Sequence, residues 1–524
     1  MSGQRVLLIN PNRMKPVITP VAIDYLAESL ESHGVDVDFL DLSFSEDVEG
    51  DIKRAFSGHP FTAVGITIRN LDDSYCASQD FCLQKSKDII DLIKLHTNAP
   101  LVLGGIGFSI APLPALQYCA VDFGIWGEGE QAFPLLIKAF AEGKDYEKIP
   151  GLLWKDDQYQ VAFKSRSRRR RGIDAGVHLS TSRSMTRRQQ RYAHEGDLVH
   201  GYRKNPASYL NLQKVTLSRR DTVDNLGYFH EGGMVGFETK RGCGQACHYC
   251  ADPIAKGTRV RVRSPEDVAR ELKGLAVKGI SCFHTCDSEF NVPPDHALEV
   301  CKEIVRKKLG DQITWYAYAS PFGFSKELAH WMKKAGCVGI DFGVDSGSEM
   351  MLKNLGRNHT TKDICTVAKI CHDYGFAFMF DLLLGGPGET RETVQKTIDL
   401  MKEINPSRVG ISLGIRIYAG TYFGNILEKI LPISENGFLG KMSEGMLRPL
   451  FYLSPALGED VSEFVRRLVA GDNRFLFGGT EAINKNYNYN DNTTLIQAIK
   501  KGYHGAFWDI LRRIEEEAVG LNPF

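Results

Sequence analysis

A chain of 524 residues with 43 % hydrophobic and 24 % charged side chains has the composition of a soluble globular protein, and it is too long for one ordinary domain. Its 64 basic and 64 acidic residues cancel, which excludes a global electrostatic drive toward nucleic acid or anionic membrane, and no run of eighteen apolar residues offers a membrane span. Twelve scattered cysteines and a start that runs straight into a strand, with no signal-peptide cleavage region, imply reduced thiols and a cytoplasmic protein.

Residues 1–145 alternate strand-like runs (Val6–Asn10, Val35–Leu40, Ala63–Thr67, Leu101–Gly105, Phe123–Trp126) with helical patterns (Val21–His33, Ile89–His96, Ala132–Ala141). This alternation predicts a Rossmann-like, doubly wound parallel sheet, which binds ligands beyond the carboxyl ends of its strands. Those ends carry Asn10, Pro11 and Asn12; Thr67, Arg69 and Asn70; Gly104, Gly105 and Gly107; and Gly127, Glu128 and Glu130. Glycines there let the backbone approach a large flat or anionic ligand, because no β-carbon intervenes. Taken singly, each is equally a tight turn. No GxGxxG follows the first strand, which argues against an ordinary dinucleotide site.

Residues 146–234 form a connector with two basic runs, Lys164–Gly172 and Arg183–Arg191, which reads as solvated loop. Strand–helix alternation resumes over 235–425, with strands at Val235–Thr239, Ile280–Thr285, Thr314–Ala319, Gly339–Gly343, Phe378–Leu384 and Val409–Ile417. Six such units predict a partial (β/α)6 barrel of the TIM type, whose chemistry gathers at strand carboxyl ends. Residues 426–524 turn irregular and then helical, a small, mainly helical cap.

Just after the first barrel strand lies Lys240-Arg-Gly-Cys-Gly-Gln-Ala-Cys-His-Tyr-Cys250. Cys243, Cys247 and Cys250 supply three thiolates with no close fourth, which suits a [4Fe–4S] cluster with one iron open to a small molecule. A zinc knuckle completed by His248 is the alternative. Further strand ends carry His284, Cys286, Asp287 and Glu289; Tyr318 and Ser320; Asp345, Ser346, Ser348 and Glu349; and Gly385, Gly386 and Gly388. Asp345, Ser346, Ser348 and Glu349 offer the acceptors and donors that two ribose hydroxyls need, although serines there also cap helices. His284, Cys286 and Tyr318 could face substrate or pack in the core; no proton-transfer residue is identified.

The CxxxCxxC spacing, with Tyr249 before the third cysteine, resembles the signature of the radical S-adenosylmethionine (SAM) enzymes, although Gly244 stands where the family usually has proline or another residue. The N-terminal part resembles the cobalamin-binding domain of one large subgroup of that family. It has an early Asn10-Pro11, a helix beginning near Pro20, Gly104-Gly105 followed by a helix bearing Pro112 and Pro114, and Asp122-Phe-Gly-Ile-Trp-Gly-Glu-Gly-Glu130. The resemblance implies three cofactors: a [4Fe–4S] cluster, SAM and cobalamin. It places Tyr249, Asp287, Glu289 and Ser320 beside SAM, with Asp287 and Glu289 at its amino group, and Gly385 and Gly386 against its adenine. The loop Asn12–Pro16 lacks the cobalt-ligating histidine of other cobalamin proteins, so a base-off cobalt without a histidine from this domain is implied.

The implied activity is methyl transfer to an unactivated carbon of a small molecule, using a 5′-deoxyadenosyl radical and methylcobalamin, with a flavodoxin or ferredoxin as electron donor. A radical cyclase with the same cofactors and a non-catalytic cobalamin or metal sensor remain alternatives.

Overall fold

The computed structural model describes residues 3–156, 201–213, 218–430, 437–440, 444–478 and 491–518. Both basic runs of the connector lie outside the described residues.

The N-terminal sheet contains β1 (Arg5–Asn10), β2 (Asp36–Asp41), β3 (Ala63–Thr67), β4 (Leu101–Gly104) and β5 (Phe123–Ile125), parallel in the order β2-β1-β3-β4-β5. Two antiparallel strands, β6 (Leu152–Lys155) and β7 (Tyr202–Lys204), extend the edge beyond β5. The apolar run of β1 is uninterrupted because both faces are covered: Leu7 and Ile9 enter one core, Val6 and Leu8 the other. The chain leaves β1 toward β2 on one side and passes to β3 on the other. The crevice at this switch lies beside Asn10 and Thr67.

In the second domain β8 (Val235–Phe237) leads to a short antiparallel ribbon, β9 (Lys240–Arg241) with β10 (Arg261–Val262). The sheet then continues through β11 (Cys282–Thr285), β12 (Thr314–Ala319), β13 (Cys337–Asp345), β14 (Ala377–Leu384) and β15 (Arg408–Leu413), every neighbouring pair parallel. The six expected barrel strands form in the expected order. The C-terminal part is helical at Val461–Val469, Thr493–Lys500 and Phe507–Ala518, but it also holds strands that the sequence reading missed. Strand β16 (Ile415–Arg416), which falls inside the predicted Val409–Ile417, joins β17 (Phe438–Gly440) and β18 (Leu450–Tyr452) in a small antiparallel sheet, and β19 (Phe475–Leu476) adds a seventh strand beside β15. Two or three residues are too few to show an alternating pattern. Among the described residues no helix is long and apolar enough to cross a membrane.

The two domains are joined through a buried ionic network. Arg220, 1 % exposed, donates from Nε to Asp24 Oδ2 at 2.7 Å, from Nη1 to Glu271 Oε1 at 2.6 Å and to the Gly236 carbonyl at 3.0 Å, and from Nη2 to Asn225 Oδ1 at 2.7 Å. Asp24 belongs to the N-terminal helix Val21–Ser32 and Glu271 to the barrel helix Pro265–Val277. Arg263 reaches Glu271 Oε2 at 2.8 Å, and the Tyr25 hydroxyl donates to the same carboxylate. Burial alone would raise the Glu271 pKa; Arg263 and Arg220 outweigh it and hold the group below its ordinary value.

Replacing Arg220 with methionine leaves Asp24 buried without its guanidinium and Glu271 with one cation fewer, so a loss of about 3–5 kcal/mol is expected. Because the folded pKa of Glu271 is depressed, its contribution is complete above the ordinary glutamate range and lost as pH falls through the folded value. Urea denaturation should therefore separate wild type from Arg220→Met most widely at neutral pH and less in acid. Superimposable curves at neutral pH would contradict this role.

Candidate active site

Strand ends of both domains line one cavity of about 550 Å3, and Phe507 and Trp508 of the C-terminal helix close part of it. On the N-terminal side its wall includes Asn10, Thr67, Arg69, Gly104, Gly105, Gly127 and Glu128, whereas Pro11 and Asn70 are not on the wall. Asn70 Oδ1 instead accepts from Arg69 at 3.2 Å.

The polar groups of Asn10 and Glu128 are engaged within the protein. Asn10 Nδ2 donates to Asp41, Ser43 and Tyr228, and its Oδ1 accepts from the Asn12 amide. Glu128 accepts from the Leu210 amide and from Arg261 of β10, both at 2.5 Å, so it clamps the domains together. Burial raises the Glu128 pKa against the pull of Arg241 and Arg261.

The glycines divide by cause. A β-carbon at Gly104 would meet nothing within 4 Å, so this position opens onto free space. Gly105 has φ +96 and its β-carbon would lie 2.7 Å from the Ile68 carbonyl; Gly127 has φ +91 and would meet the Ser208 carbonyl at 2.4 Å. At 105 and 127 the backbone itself requires glycine, independently of any ligand.

The cysteine loop is stapled at its base by the β9–β10 ribbon, and the Cys243 amide donates to the Gly257 carbonyl. Gly242, at φ +90, passes so close to Arg259 that a β-carbon would sit 2.1 Å from its carbonyl oxygen. The three thiols are near enough to act on one another electrostatically, and burial pushes all three upward, Cys243 to about 11. They become thiolates at neutral pH only when a cationic centre accepts them. His248 is held elsewhere, with Nδ1 on the Asn354 carbonyl at 2.8 Å and its ring stacked on Tyr422. Among the described residues no three His, Cys, Asp or Glu side chains gather round one ion position. A tetrahedral zinc, with sulfurs about 2.3 Å from the metal, would draw thiolates to roughly 4 Å of one another. Three thiolates with His248 engaged elsewhere suit an iron–sulfur cluster that leaves one iron open.

Arg357, which the sequence reading missed, ties this loop to the barrel. Its Nη1 donates to Cys247 Sγ at 2.9 Å and to the Tyr249 hydroxyl at 3.4 Å, and its Nη2 to the Gly343 carbonyl at 2.5 Å. It also pairs with Asp345 at 3.3 Å and Glu289 at 3.8 Å. Asp345, in turn, accepts from Tyr249 at 2.6 Å and takes φ +65 at a register shift between β13 and β14. Such backbone strain in a non-glycine residue is concentrated at functional sites. Glu289 accepts from Gln245 of the cysteine loop at 2.9 Å. A single arginine between Gly356 and Asn358 carries no sequence signal; only the fold brings it to the thiols.

Other expected SAM contacts are held differently. Asp287 is 2 % exposed and accepts from the Thr239 and Lys240 amides, the Thr239 hydroxyl and Lys240 Nζ, so both oxygens anchor the start of the cysteine loop instead of standing open for an amino group. Ser320 is fully buried and its backbone pairs with the Asn291 side chain. Ser346 is fixed by Thr397 and by the Ser348 amide, while Ser348 precedes the helix Glu349–Asn354 without capping it through its side chain. Side-chain space at Gly385 and Gly386 is taken by Leu453 and by Ile415, Leu355 and Met351, so protein packing already demands these glycines. His284, Cys286 and Tyr318 all line the cavity.

Residues 237–401 match the Radical SAM superfamily and residues 12–137 match the B12 binding domain. The tryptophan 2-C-methyltransferase of Streptomyces laurentii is 30 % identical over 96 % of this chain and 95 % of its own. The structure of the radical SAM methyltransferase TsrM of Kitasatospora setae, with tryptophan substrate and the SAM analogue aza-SAM, superimposes with a TM-score of 0.85 at 28 % identity, covering 99 % of each chain. A second TsrM structure, with cobalamin and a [4Fe–4S] cluster, gives 0.82 at 27 % identity over the same shares. The chain belongs to the cobalamin-dependent radical SAM enzymes, and its cofactors are a [4Fe–4S] cluster, SAM and cobalamin.

The two kinds of glycine separate by substitution. Gly104→Val should fold with an unchanged melting temperature yet hold cobalamin about tenfold or more weakly, because the valine fills cavity space. Gly105→Val should be destabilised by roughly 1–3 kcal/mol through its left-handed backbone. Cobalt content and thermal unfolding of the two variants check this; full cobalt loading of Gly104→Val would contradict it.

Proposed function

We propose that the protein is a C-methyltransferase that places a SAM-derived methyl group on a carbon of an indole amino acid. The observation that carries this reading is a shared cavity, walled by strand ends of the domain that matches the B12 binding fold and by the barrel that carries the thiol loop. Similarity to a tryptophan 2-C-methyltransferase along nearly the whole chain supports the choice of acceptor.

When bound, the cluster and SAM supply one-electron radical chemistry and cobalamin supplies a methyl carrier. Cys243, Cys247 and Cys250 hold the cluster. Arg357 supports Cys247 and, with Asp345 and Glu289, orients the polar end of SAM beside it; Ser348 and Asp345 serve its ribose. Gly104 leaves room for the corrin, with Thr67 and Arg69 at its edge. No histidine of residues 3–145 lines the cavity, and the Asn12–Pro16 loop would offer a bound cobalamin no imidazole. A flavodoxin- or ferredoxin-type protein in a reducing cytoplasm provides the electron.

The test is anaerobic reconstitution with iron, sulfide and hydroxocobalamin, followed by trideuteromethyl-SAM, reductant and L-tryptophan. Mass spectrometry should find tryptophan with one trideuteromethyl group in place of hydrogen; unmodified tryptophan under full cofactor loading would overturn this acceptor. An indole ring is electron-rich enough to attack a methyl electrophile itself, whereas an aliphatic carbon needs hydrogen abstraction. Counting 5′-deoxyadenosine against product distinguishes these acceptor classes.

Each of Cys243→Ala, Cys247→Ala and Cys250→Ala should abolish the cluster's visible absorbance while cobalamin binding survives, since three thiolates are the minimum ligation. Electron paramagnetic resonance of bound cob(II)alamin should lack nitrogen superhyperfine splitting from an axial imidazole.

A further inference from the structure

The barrel side of the cavity contains polar atoms that the cofactor assignments leave unused. Asp341 lies on β13 opposite Tyr318 of β12, is 4 % exposed and lines the cavity. Its side chain is hydrogen-bonded to Asp381 on the neighbouring strand β14, yet its Oδ1 has no hydrogen-bond partner among the described residues. Two further cavity-lining residues, Thr285 and Trp508, have buried polar atoms, Oγ1 and Nε1, that also lack a partner among the described residues. Buried groups of this kind are nearly always paired, and leaving one unpaired is costly. Three around one cavity therefore indicate a bound molecule that completes them.

The chemistry of the set defines that molecule. Trp508 packs over Gly339, with its ring 3.4 Å from where a β-carbon would stand, and Asp341 is the next residue on the same face of β13. Two carboxyls in contact repel each other as anions, and burial with Asp381 raises the Asp341 pKa well above the carboxylate range, a shift that a cation placed against the pair would oppose. His284 is neutral, because burial lowers its pKa to about 4, and its Nδ1–H donates to the Thr285 carbonyl at 2.8 Å. The local surface thus offers a carboxyl pair, the Thr285 hydroxyl and an indole N–H donor, beside the aromatic rings of Tyr318 and Phe507.

We propose that Asp341, paired with Asp381, binds the ammonium group of a free α-amino acid while Trp508 Nε1 donates to its carboxylate. This rests on the methyltransferase reading above and narrows its substrate to a free amino acid, as opposed to a peptide residue or a simple indole. The head group is anchored deep against β13, leaving the aromatic side chain to lie among Tyr318 and Phe507 toward the N-terminal wall.

Calorimetric titration of the reconstituted holoenzyme with L-tryptophan, tryptamine and indole-3-propionate tests this. Wild type should bind tryptophan about tenfold or more tightly than either analogue, since each lacks one charged hydrogen bond. In Asp341→Asn the advantage over indole-3-propionate should shrink to about twofold while indole-3-propionate itself binds no more weakly. In Trp508→Phe the advantage over tryptamine should shrink likewise; this variant carries the test alone if Asp341→Asn does not fold. Unchanged discrimination in both folded variants, or equal binding of all three ligands by wild type, would overturn the assignment. If wild type binds none of the indoles, the indole reading fails separately, and the same titration with the other proteinogenic amino acids decides the head-group site. Binding of one of them that is lost in either variant upholds the site; binding of none overturns it.

Discussion

A single buried guanidinium holds this architecture in register. Arg220 stands at the seam between two domains that each have a core of their own, and its partners come from a helix of one and a helix of the other. Removing such charges from water is costly, and the attraction repays that only when every donor is matched. Here each guanidinium nitrogen has a partner, and Arg263 and Tyr25 complete the shared Glu271 carboxylate. An apolar seam would tolerate sliding; this one does not, because any shift strands buried charge.

Fixed domains are what turn two sets of strand ends into one cavity. Glu128 and Arg261 add a second clamp across the same seam, at the point where the glycine-rich segment of the first domain meets the ribbon that staples the cysteine loop. The loop is then referenced to the barrel twice, by Asp287 beneath its start and by Arg357 at Cys247. Geometry set at the seam is thereby carried to the thiols through hydrogen bonds rather than through flexible chain.

Much of this was legible in the sequence because it is written in local pattern. Buried parallel strands read as continuous apolar runs, so the two parallel sheets emerged, and the cysteine spacing stood out without any fold. What stayed hidden depends on distant partners. Arg220 and Arg357 lie in unremarkable stretches and acquire meaning only from residues up to about two hundred positions away. Asp287 looked like a ligand because an aspartate at a strand end is a sensible one; its oxygens instead meet backbone amides that no sequence pattern displays. Gly105 and Gly127 were recognised as special, yet their reason, a backbone approach with positive φ, belongs to neighbours on other elements. The short strands β17 to β19 have no period to detect.

A seam locked by Arg220 should hold cobalamin and the cluster at one fixed separation. Pulsed dipolar electron paramagnetic resonance between bound cob(II)alamin and the reduced cluster in the full-length holoenzyme measures that separation directly. A single narrow distance distribution is the predicted result, and a broad or multimodal distribution, or no resolvable dipolar coupling, would contradict it.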